Sequence, residues 1–307
     1  MMKPSHPSAG TDHLGRIPSE SSWSAVADRE ACRRGLIYLV GLGPGDTDLV
    51  TLKAARLLKD ADRVYCFDFL REEVARFARP EALTVVSPLL MGRSVAPGAE
   101  GLTPELSERA RQAVRARAEF VSQVRALVNA GRTVVFADSG DPTLFSPWFW
   151  IERAFAELRI EVVPGASSFN AANAVLHLGV TVGSEVSLSA GTAPLGSGEE
   201  CPLPTTRVIF THRFKARDVL PQLAARYPAD TPVALVCEAS RSSQEVITGT
   251  VGTVLDKING RDLPHLYVID VGDGLVPAMS ARSGCPVDPS DGPTRREDRV
   301  IAAGVPS

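Results

Sequence analysis

The sequence predicts an α/β protein made of two α/β domains, the first with a mainly parallel sheet and the second with a mixed sheet. In the first half, short apolar runs such as "LIYLVGLG" alternate with segments of helical periodicity, which is typical of parallel strands joined by crossover helices. In the second half, strand-like runs such as "RVIFTH" and "HLYVIDVG" have fewer helices between them, which favours a mixed sheet. With 307 residues, 44% of them hydrophobic, the chain can bury two moderate cores.

The two ends of the chain are predicted to be disordered tails. Residues 1–34 are rich in Ser, Pro, Ala and charge, and residues 275–307 include "SGCPVDPSDGPTRRED". Such a composition buries too little apolar surface to offset the entropy lost on ordering. The folded body is therefore expected over residues 35–274, with the N-terminal domain at 35–158 and the C-terminal domain at 159–274.

The helices of the first half are marked by their periodicity and by their ends. The first follows the opening strand at residues 51–59, and later ones are predicted at 72–78 and 147–158. A long helix lies between these two, with Pro104 suited to its first position and Gly131 ending it. In the second half, "IEVVPGASSFNAANAVLHLG" predicts a strand, a Pro-Gly turn and an Ala-rich helix.

Composition argues against several classes of function. The net charge is −3 and the pI is about 6.0, so the chain lacks the basic excess typical of nucleic-acid-binding proteins. Its five cysteines are scattered, and no Cys or His cluster has the spacing of a metal site. The sequence shows neither the apolar core of a signal peptide nor a run long enough to span a membrane. We therefore expect a cytoplasmic protein with no metal and no membrane or nucleic-acid partner.

The segment "IYLVGLGPGDTDLVTLKAARLL" reads as a strand, a glycine loop and a helix. Loops of this kind usually bind phosphate through backbone N–H groups and a helix N-terminus. Here Asp46 stands where the dinucleotide fingerprint has its third glycine, and Pro44 has no N–H to donate. A P-loop would continue Gly-Lys-Ser/Thr, whereas this loop continues with Asp46, Thr47 and Asp48, whose carboxylates would repel a phosphate. The loop is therefore predicted to hold a neutral or cationic ligand, or a carbon acid that needs a base.

Ligands of open α/β sheets gather at the carboxyl ends of the strands. Four loops follow predicted strands here, at residues 41–46, 68–71, 138–144 and 164–168. In "ADSGDPTLFSP", Gly140 permits a close approach and Asp141 supplies a carboxylate, although the same residues also suit a plain turn. Ser167 and Ser168 stand at the start of a helix, where capping is a commoner role for a hydroxyl group than ligand binding.

Four segments in this order resemble the tetrapyrrole methylase family, whose members use S-adenosylmethionine: "YLVGLGPGDTDLVTLKAARLLKDADRVYCFD", "FADSGDPTLFSP", "EVVPGASSFNAANAVLHLGV" and "TPVALVCEASRSSQEVITGTVGTV". The resemblance covers about residues 35–274. It implies that the cofactor lies in a cleft between two α/β domains, touched mainly by backbone, and that the enzyme is a homodimer. The residues that match cofactor-contacting positions are Pro44, Ser139, Gly140, Asp141, Leu144, Ser167, Ser168, Thr211 and Ala239.

The chemistry of this cofactor agrees with the glycine loop, because S-adenosylmethionine is a sulfonium cation without a phosphate. Methyl transfer is an in-line displacement that depends mainly on alignment, so no Ser-His-Asp or Cys-His set is required. The family's acceptors carry acetate and propionate groups, which arginine binds well, and the candidates are Arg93, His212, Arg213 and Arg241, each of which also suits a solvated surface. Of these we select Arg93 and Arg213. Asp46 is the candidate acceptor for the proton released on alkylation, although a capping role is the simpler interpretation.

The two halves of the chain resemble methylases of different acceptors. The stretch "GDPTLFSPWFW" is more similar to the C-20 methylases that act on precorrin-2, whereas "PADTPVALVCEASRSSQEVITGTV" is closer to the C-11 methylases that act on precorrin-4. Siroheme-pathway methylases typically have a Phe and a Gly-Arg-Gly run after Gly-Asp-Pro, where this chain has "TLFSP". We expect a cobalamin-pathway C-methyltransferase of open ring position. The alternatives are a methylase of ribosomal RNA 2′-oxygen or peptide nitrogen, and a non-catalytic module that binds the cofactor.

Overall fold

The structure is a computed structural model that describes residues 35–91, 104–181, 184–191, 205–211 and 214–276. Its strands are β1 Ile37–Gly41, β2 Arg63–Cys66, β3 Leu83–Val85, β4 Val134–Asp138, β5 Ile160–Val163, β6 Val186–Ala190, β7 Thr206–Phe210, β8 Pro232–Cys237, β9 Glu245–Thr250 and β10 Tyr267–Val271. Its α-helices are α1 Leu52–Asp60, α2 Arg71–Ala75, α3 Pro104–Asn129, α4 Trp150–Ala154, α5 Ser168–Leu176, α6 Ala216–Ala224 and α7 Val254–Ile258.

The first sheet has the strand order β3-β2-β4-β1-β5, and all its strand pairs are parallel, as the alternation of apolar runs and helices predicts. Apolar side chains of the central strands point to both faces of this sheet. On one face Leu39 and Phe136 pack with Val124 of α3, and on the other Val40 packs with Leu58 of α1. This burial on both faces explains why β1 and β4 read as continuous apolar runs.

The second sheet has the order β6-β7-β10-β8-β9 and is mixed, because only the β6–β7 pair is parallel. Helix α5 covers one face, where Leu176 joins the same cluster as Val208, and α6 covers the other, where Leu223 joins Ile209. Strand β10 is antiparallel to both β7 and β8. These two strands therefore run in the same direction and end at the same edge of the sheet.

The change from one sheet to the other falls later than expected. Strand β5 pairs with β1 in the first sheet, so that sheet extends to Val163, whereas the predicted domain boundary is at Leu158. The folded body also extends past residue 274, because Leu275 is completely buried in the second core. The predicted tail at residues 1–34 lies outside the described residues, as does residue 277 onwards of the C-terminal one.

Two predicted helices are shorter in the structure. Helix α2 ends at Ala75 rather than at residue 78, and α4 covers only Trp150–Ala154 of the predicted 147–158. The turn before α4 has a local cause, since the backbone N–H of Trp148 donates to the hydroxyl of Ser146 at 3.0 Å. The long helix begins at Pro104 as predicted and ends at Asn129, two residues before Gly131, whose φ is +78°.

Candidate functional site

Two loops at the carboxyl edge of the first sheet are joined backbone to backbone. Strands β1 and β4 end side by side at Gly41 and Asp138. Beyond them, the N–H of Gly43 donates to the carbonyl of Gly140 at 3.2 Å, and the N–H of Gly140 donates to the carbonyl of Gly43 at 2.7 Å. Both glycines have positive φ, +79° and +67°, a conformation that other residues adopt only with strain. The sequence therefore uses glycine at the two positions that link these loops.

The loop after β5 closes against the same bridge. A Cβ at Gly165 would lie 2.3 Å from the carbonyl oxygen of Gly140, and a Cβ at Gly41 would lie 2.5 Å from that oxygen. A Cβ at Gly140, in contrast, would lie 3.7 Å from the backbone nitrogen and the hydroxyl of Ser168. A Cβ at position 140 would therefore fill the space between this loop and the start of α5, which glycine leaves open. The three loops together present one surface made largely of backbone.

The serines and the aspartate of these loops are engaged in local structure. Ser167 is buried, and its hydroxyl accepts from the N–H of Phe169 at 3.0 Å while its own N–H donates to the side chain of Asn170 at 3.3 Å. This is a capping box, so the capping role considered for Ser167 is confirmed. The carboxylate of Asp141 accepts from the N–H and the hydroxyl of Thr143 at 2.9 and 2.8 Å, which stabilises its own turn.

The glycine loop also contacts the loop that follows β8 in the second sheet. The backbone N–H of Asp46 donates to the hydroxyl of Ser240 at 3.1 Å. The carboxylate of Asp46 is exposed, and its Oδ1 accepts from the N–H of Asp48 at 3.0 Å at the start of a 3₁₀ turn. The simpler interpretation of Asp46, a capping carboxylate, is thus what the structure contains, and its role as a base stays a prediction. Pro44, two residues earlier, is buried.

The expected contacts from the C-terminal domain lie at the carboxyl ends of β7 and β8. Thr211 is 2% exposed and its hydroxyl donates to the carbonyl of Tyr267, and Ala239 is 6% exposed within the second core. Leu144 from the first domain packs against that same core cluster. The structure therefore brings Thr211 and Ala239 into one region with the loop after β4, with their side chains buried in the protein.

An aromatic pair joins the two domains in this region. The rings of Phe145 and Phe210 lie 5.1 Å apart, the first from the loop after β4 and the second from the end of β7. Phe145 has φ of +57°, which is strained for a bulky residue, and it is 39% exposed. A partly exposed aromatic ring held in a strained conformation beside a predicted ligand loop is a feature that favours a binding role.

Asp138 lies at this site but is not one of the site residues that the sequence predicts. It is 1% exposed at the end of β4, and its carboxylate accepts from the N–H of Ser139 at 2.8 Å and from the hydroxyl of Ser146. Burial raises the pKa of Asp138 from 3.8 to about 7, against the lowering effect of these two hydrogen bonds. The carboxylate therefore ties together the two ends of the loop 139–146. A signal was present, because this acid directly follows the four apolar residues "VVFA".

Of the residues predicted to bind the substrate's carboxylates, only Arg241 lies within the described part of the chain. Arg93 and Arg213, with His212, lie outside the described residues. Arg241 is described, and its guanidinium pairs with the carboxylate of Glu73 at 2.6 Å, so in this structure it is engaged with a protein carboxylate. The residues Ser139, Ser168 and Leu144 are half-buried at the surface formed by the three loops.

The site has no features of a metal centre in the part of the chain that the structure describes, where no three His, Cys, Asp or Glu side chains are grouped to hold an ion. Over the same residues, no helix combines the length and apolar character needed to cross a lipid bilayer. The converging surface is instead built from glycine backbone, hydroxyl groups and a few carboxylates. It suits a ligand that is recognised by backbone contacts and by shape rather than by strong charge pairing.

Comparison with known proteins gives a family match over most of the described chain. Residues 36–255 match the family described as Tetrapyrrole (Corrin/Porphyrin) Methylases. A siroheme synthase of Psychrobacter sp. (strain PRwf-1) is 28% identical over 82% of this chain. A cobalt-precorrin-4 C(11)-methyltransferase of Methanocaldococcus jannaschii is 25% identical over 80% of this chain. This chain spans half of the siroheme synthase and 91% of the methyltransferase.

Solved structures show the same fold. The crystal structure of a uroporphyrin-III-C-methyltransferase from Thermus thermophilus aligns with a TM-score of 0.60 and 25% identity, covering 84% of this chain and 100% of the other. The predicted fold, with a parallel first sheet and a mixed second sheet, is therefore confirmed by both the strand topology and this alignment.

Proposed function

Since the chain belongs to the tetrapyrrole methylase family, we propose that it is an S-adenosylmethionine-dependent methyltransferase that methylates a ring carbon of a tetrapyrrole. The observation that carries this proposal is the junction of three loops at Gly43, Gly140 and Gly165. It lies at the carboxyl ends of parallel strands, where open α/β sheets bind ligands. The chain matches the family over both loops that form the bridge.

The residues present fit this cofactor. The gap between Gly140 and Ser168 would be narrowed by any side chain at position 140, so glycine keeps room for a ligand that approaches the backbone. Asp141 follows Gly140 in the sequence and Asp46 belongs to the glycine loop that is bridged to it, and both carboxylates suit a cationic ligand better than a phosphate. When bound, S-adenosylmethionine supplies an electrophilic methyl group on a sulfonium. Backbone of the three loops would hold it, with Pro44, Ser139 and Leu144 among the neighbouring residues.

Beyond binding the cofactor, the reaction requires that the substrate be aligned with the methyl group and that one residue accept a proton. Phe145 and Phe210 would shield the reacting region from water and orient the tetrapyrrole, because their rings meet between the two domains. Asp46 is the proposed acceptor of the proton that the tetrapyrrole releases when one of its ring carbons is alkylated. Its cap uses Oδ1, and its exposed carboxylate can pass the proton to solvent. Arg93 and Arg213 are the proposed ligands of the substrate's carboxylates.

The substrate class has two candidates within the tetrapyrroles. A precorrin or cobalt-precorrin of cobalamin biosynthesis is our first choice, supported by the similarity to the C(11)-methyltransferase along 91% of that protein. Uroporphyrinogen III is the second, supported by the alignment with the Thermus enzyme and by the siroheme synthase match. The siroheme synthase match supports this second candidate although the chain has "TLFSP" after Gly-Asp-Pro. A homodimer in the cytoplasm is the proposed physiological state.

Two measurements test the proposal. Titration calorimetry of the purified protein with S-adenosylmethionine should show binding, and its absence in folded protein would refute the cofactor assignment. Mass spectrometry of reactions with uroporphyrinogen III and with successive precorrins should show a product heavier by one methyl group. Methylation of ribosomal RNA or of a peptide in place of every tetrapyrrole would replace the substrate assignment. Binding of the cofactor with no transfer to any acceptor would indicate a non-catalytic module.

The role of Asp46 can be tested on the reaction itself. Asp46→Asn keeps an oxygen that can accept the hydrogen bond from Asp48 but removes the proton acceptor, so kcat should fall by about 100-fold with little change in KM. Asp48→Asn is the matched control, since its exposed carboxylate is two residues away and should leave kcat within about twofold. An equal fall in both variants would point to a general charge effect instead.

A further inference from the structure

The loop after β8 has an unusual backbone for its composition. Glu238 has φ of +45° and Ser240 has φ of +74°, and neither is a glycine. The loop is stabilised within itself, because the N–H of Ser240 donates to the side chain of Gln244 at 2.8 Å and the N–H of Arg241 donates to the carbonyl of Glu238 at 3.0 Å. Backbone strain of this kind persists only where surrounding contacts fix it.

Further contacts to this loop come from the first domain. The hydroxyl of Ser240 accepts from the backbone N–H of Asp46, and the adjacent Arg241 crosses directly over Gly45. A Cβ at Gly45 would lie 2.5 Å from Nε and 2.6 Å from Cγ of Arg241. The glycine at position 45 thus leaves room for the arginine side chain.

Past Gly45, the guanidinium of Arg241 reaches the first domain's helix α2. Its Nη2 lies 2.6 Å from a carboxylate oxygen of Glu73, and its Nη1 lies 3.9 Å from Glu238. The side chains of Arg241 and Glu73 are only 22% and 14% exposed. Ion pairs at this level of burial are screened less by salt than surface pairs, and removal of one partner leaves a charge that water solvates poorly.

Two charges that are 168 positions apart in sequence therefore meet across the glycine loop. We propose that Arg241 is a positioning residue of the site for the methyl donor, S-adenosylmethionine. Arg241 would pair with Glu73 to hold the loop after β8 against Gly45 and Asp46. The inference rests on the proposed function. It replaces the expectation that Arg241 binds a carboxylate of the substrate, because the partner of its guanidinium is Glu73. Loss of the pair would let the two loops separate and would weaken donor binding without any contact of Arg241 with the donor.

The experiment is a double-mutant cycle read by calorimetry with S-adenosylmethionine and S-adenosylhomocysteine. Arg241→Met keeps the apolar stem and removes the charge, and Glu73→Gln removes the partner charge. Each should weaken both affinities by about tenfold, and the double variant should be no weaker than either, because residues of one ion pair are coupled. The charge swap of Arg241→Glu with Glu73→Arg should restore affinity to within about threefold of the native protein.

A more exposed ion pair of the second domain serves as the control. Arg261 contacts Glu245 at 2.7 Å, with side chains 42% and 45% exposed. Arg261→Met should leave both affinities unchanged. A melting curve for each variant separates a folding defect from a positioning defect, since a purely structural pair would lower the melting temperature without changing affinity.

The outcomes distinguish the two proposals. If the native protein binds the donor and the Arg241 and Glu73 variants bind it equally well, this inference is wrong and the proposed function stands. Additive losses in the double variant would also overturn it, because they would show that the two residues act separately. If the native protein binds neither compound, the proposed function fails and this inference fails with it. Should Arg241→Met not fold, Glu73→Gln and the charge swap give the same reading.

Discussion

Asp138 in the first sheet and Asp270 in the second are both 1% exposed, and burial raises the pKa of each from 3.8 to about 7. Their surroundings differ. Asp138 ends a strand and accepts hydrogen bonds from Ser139 and Ser146, which shape a loop of the candidate site. Asp270 lies inside β10, and neither of its carboxylate oxygens has a hydrogen-bond partner among the residues described. One acid organises a loop, whereas the other only adds an unsatisfied group to a core.

Asp270 lies on an apolar face of the second sheet, where a charged carboxylate is unfavourable. It lies on the same face of β10 as Val268, and its neighbours across the sheet are Val208 and Ala234. That face packs against α5 through Leu176. A carboxylate in such apolar surroundings is strongly disfavoured, so the group takes up a proton at a pH where exposed aspartates have lost theirs.

The largest expected effect is therefore the removal of Asp270. In the native protein it keeps its proton between pH 4 and 7 while the unfolded chain has lost it, so the free energy of unfolding falls as pH rises through this window and is level above it. Asp270→Asn removes this fall. The rise in pKa from 3.8 to about 7 corresponds to an increase on the order of 4 kcal/mol in the free energy of unfolding of the variant, relative to the native protein, at pH 8. This increase should vanish near pH 4.

Urea unfolding at pH 4.5 and at pH 8 measures this effect as a difference between the variant and the native protein. The control is Asp262→Asn, an exposed aspartate of the same domain, which should change stability by less than about 0.5 kcal/mol at both pH values. A gain that is the same at both pH values would mean that packing, and not titration, is responsible.

The next largest expected effect is a loss of stability on substitution of Gly165, where loops of the first sheet are in close contact. Gly165→Ala places a Cβ 2.3 Å from the carbonyl oxygen of Gly140, and because both groups are backbone the loops must move apart. We expect a loss of about 3 kcal/mol in the free energy of unfolding, similar to other overpacked sites. Donor binding should be lost with it, because Gly140 is displaced.

The matched control is Gly179→Ala in the segment after α5. A Cβ there meets nothing within 4 Å, so the free energy of unfolding should change by less than about 0.5 kcal/mol. Urea unfolding and donor calorimetry on the two variants check both statements. Equal and small effects at the two positions would show that the three loops are less closely joined than their geometry indicates.

These contrasts also explain what the sequence could predict. The strands and the parallel order follow from local patterns, and the glycine loop was recognisable because its residues are consecutive. The ion pair of Arg241 with Glu73 was not, since no local pattern relates residues that meet only after both domains have folded. The short α4 was missed because the bond between Trp148 and Ser146 depends on the buried position of the tryptophan. Asp138 directly follows an apolar run and Asp270 stands within one, and an acid in either position was the available signal.

The smallest expected effect on stability is at Asp138, and it is the sharpest test of the comparison. Asp138→Asn removes a buried charge but also replaces one of the two acceptor oxygens by an NH₂ group, so the side chain can no longer accept from both Ser139 and Ser146. The two effects oppose each other, and the free energy of unfolding at pH 8 should stay within about 1 kcal/mol of the native value.

Donor affinity should nevertheless fall by about tenfold in Asp138→Asn, because the loop 139–146 loses one of its anchors. Ser146→Ala removes the same anchor without changing the charge and should weaken donor binding to a similar extent. Calorimetry at pH 8 with S-adenosylhomocysteine and urea unfolding of both variants measure the two quantities. If Asp138→Asn instead stabilised the protein as strongly as Asp270→Asn and left donor affinity unchanged, Asp138 would be a second unsatisfied core acid, and the difference between the two sheets would not hold.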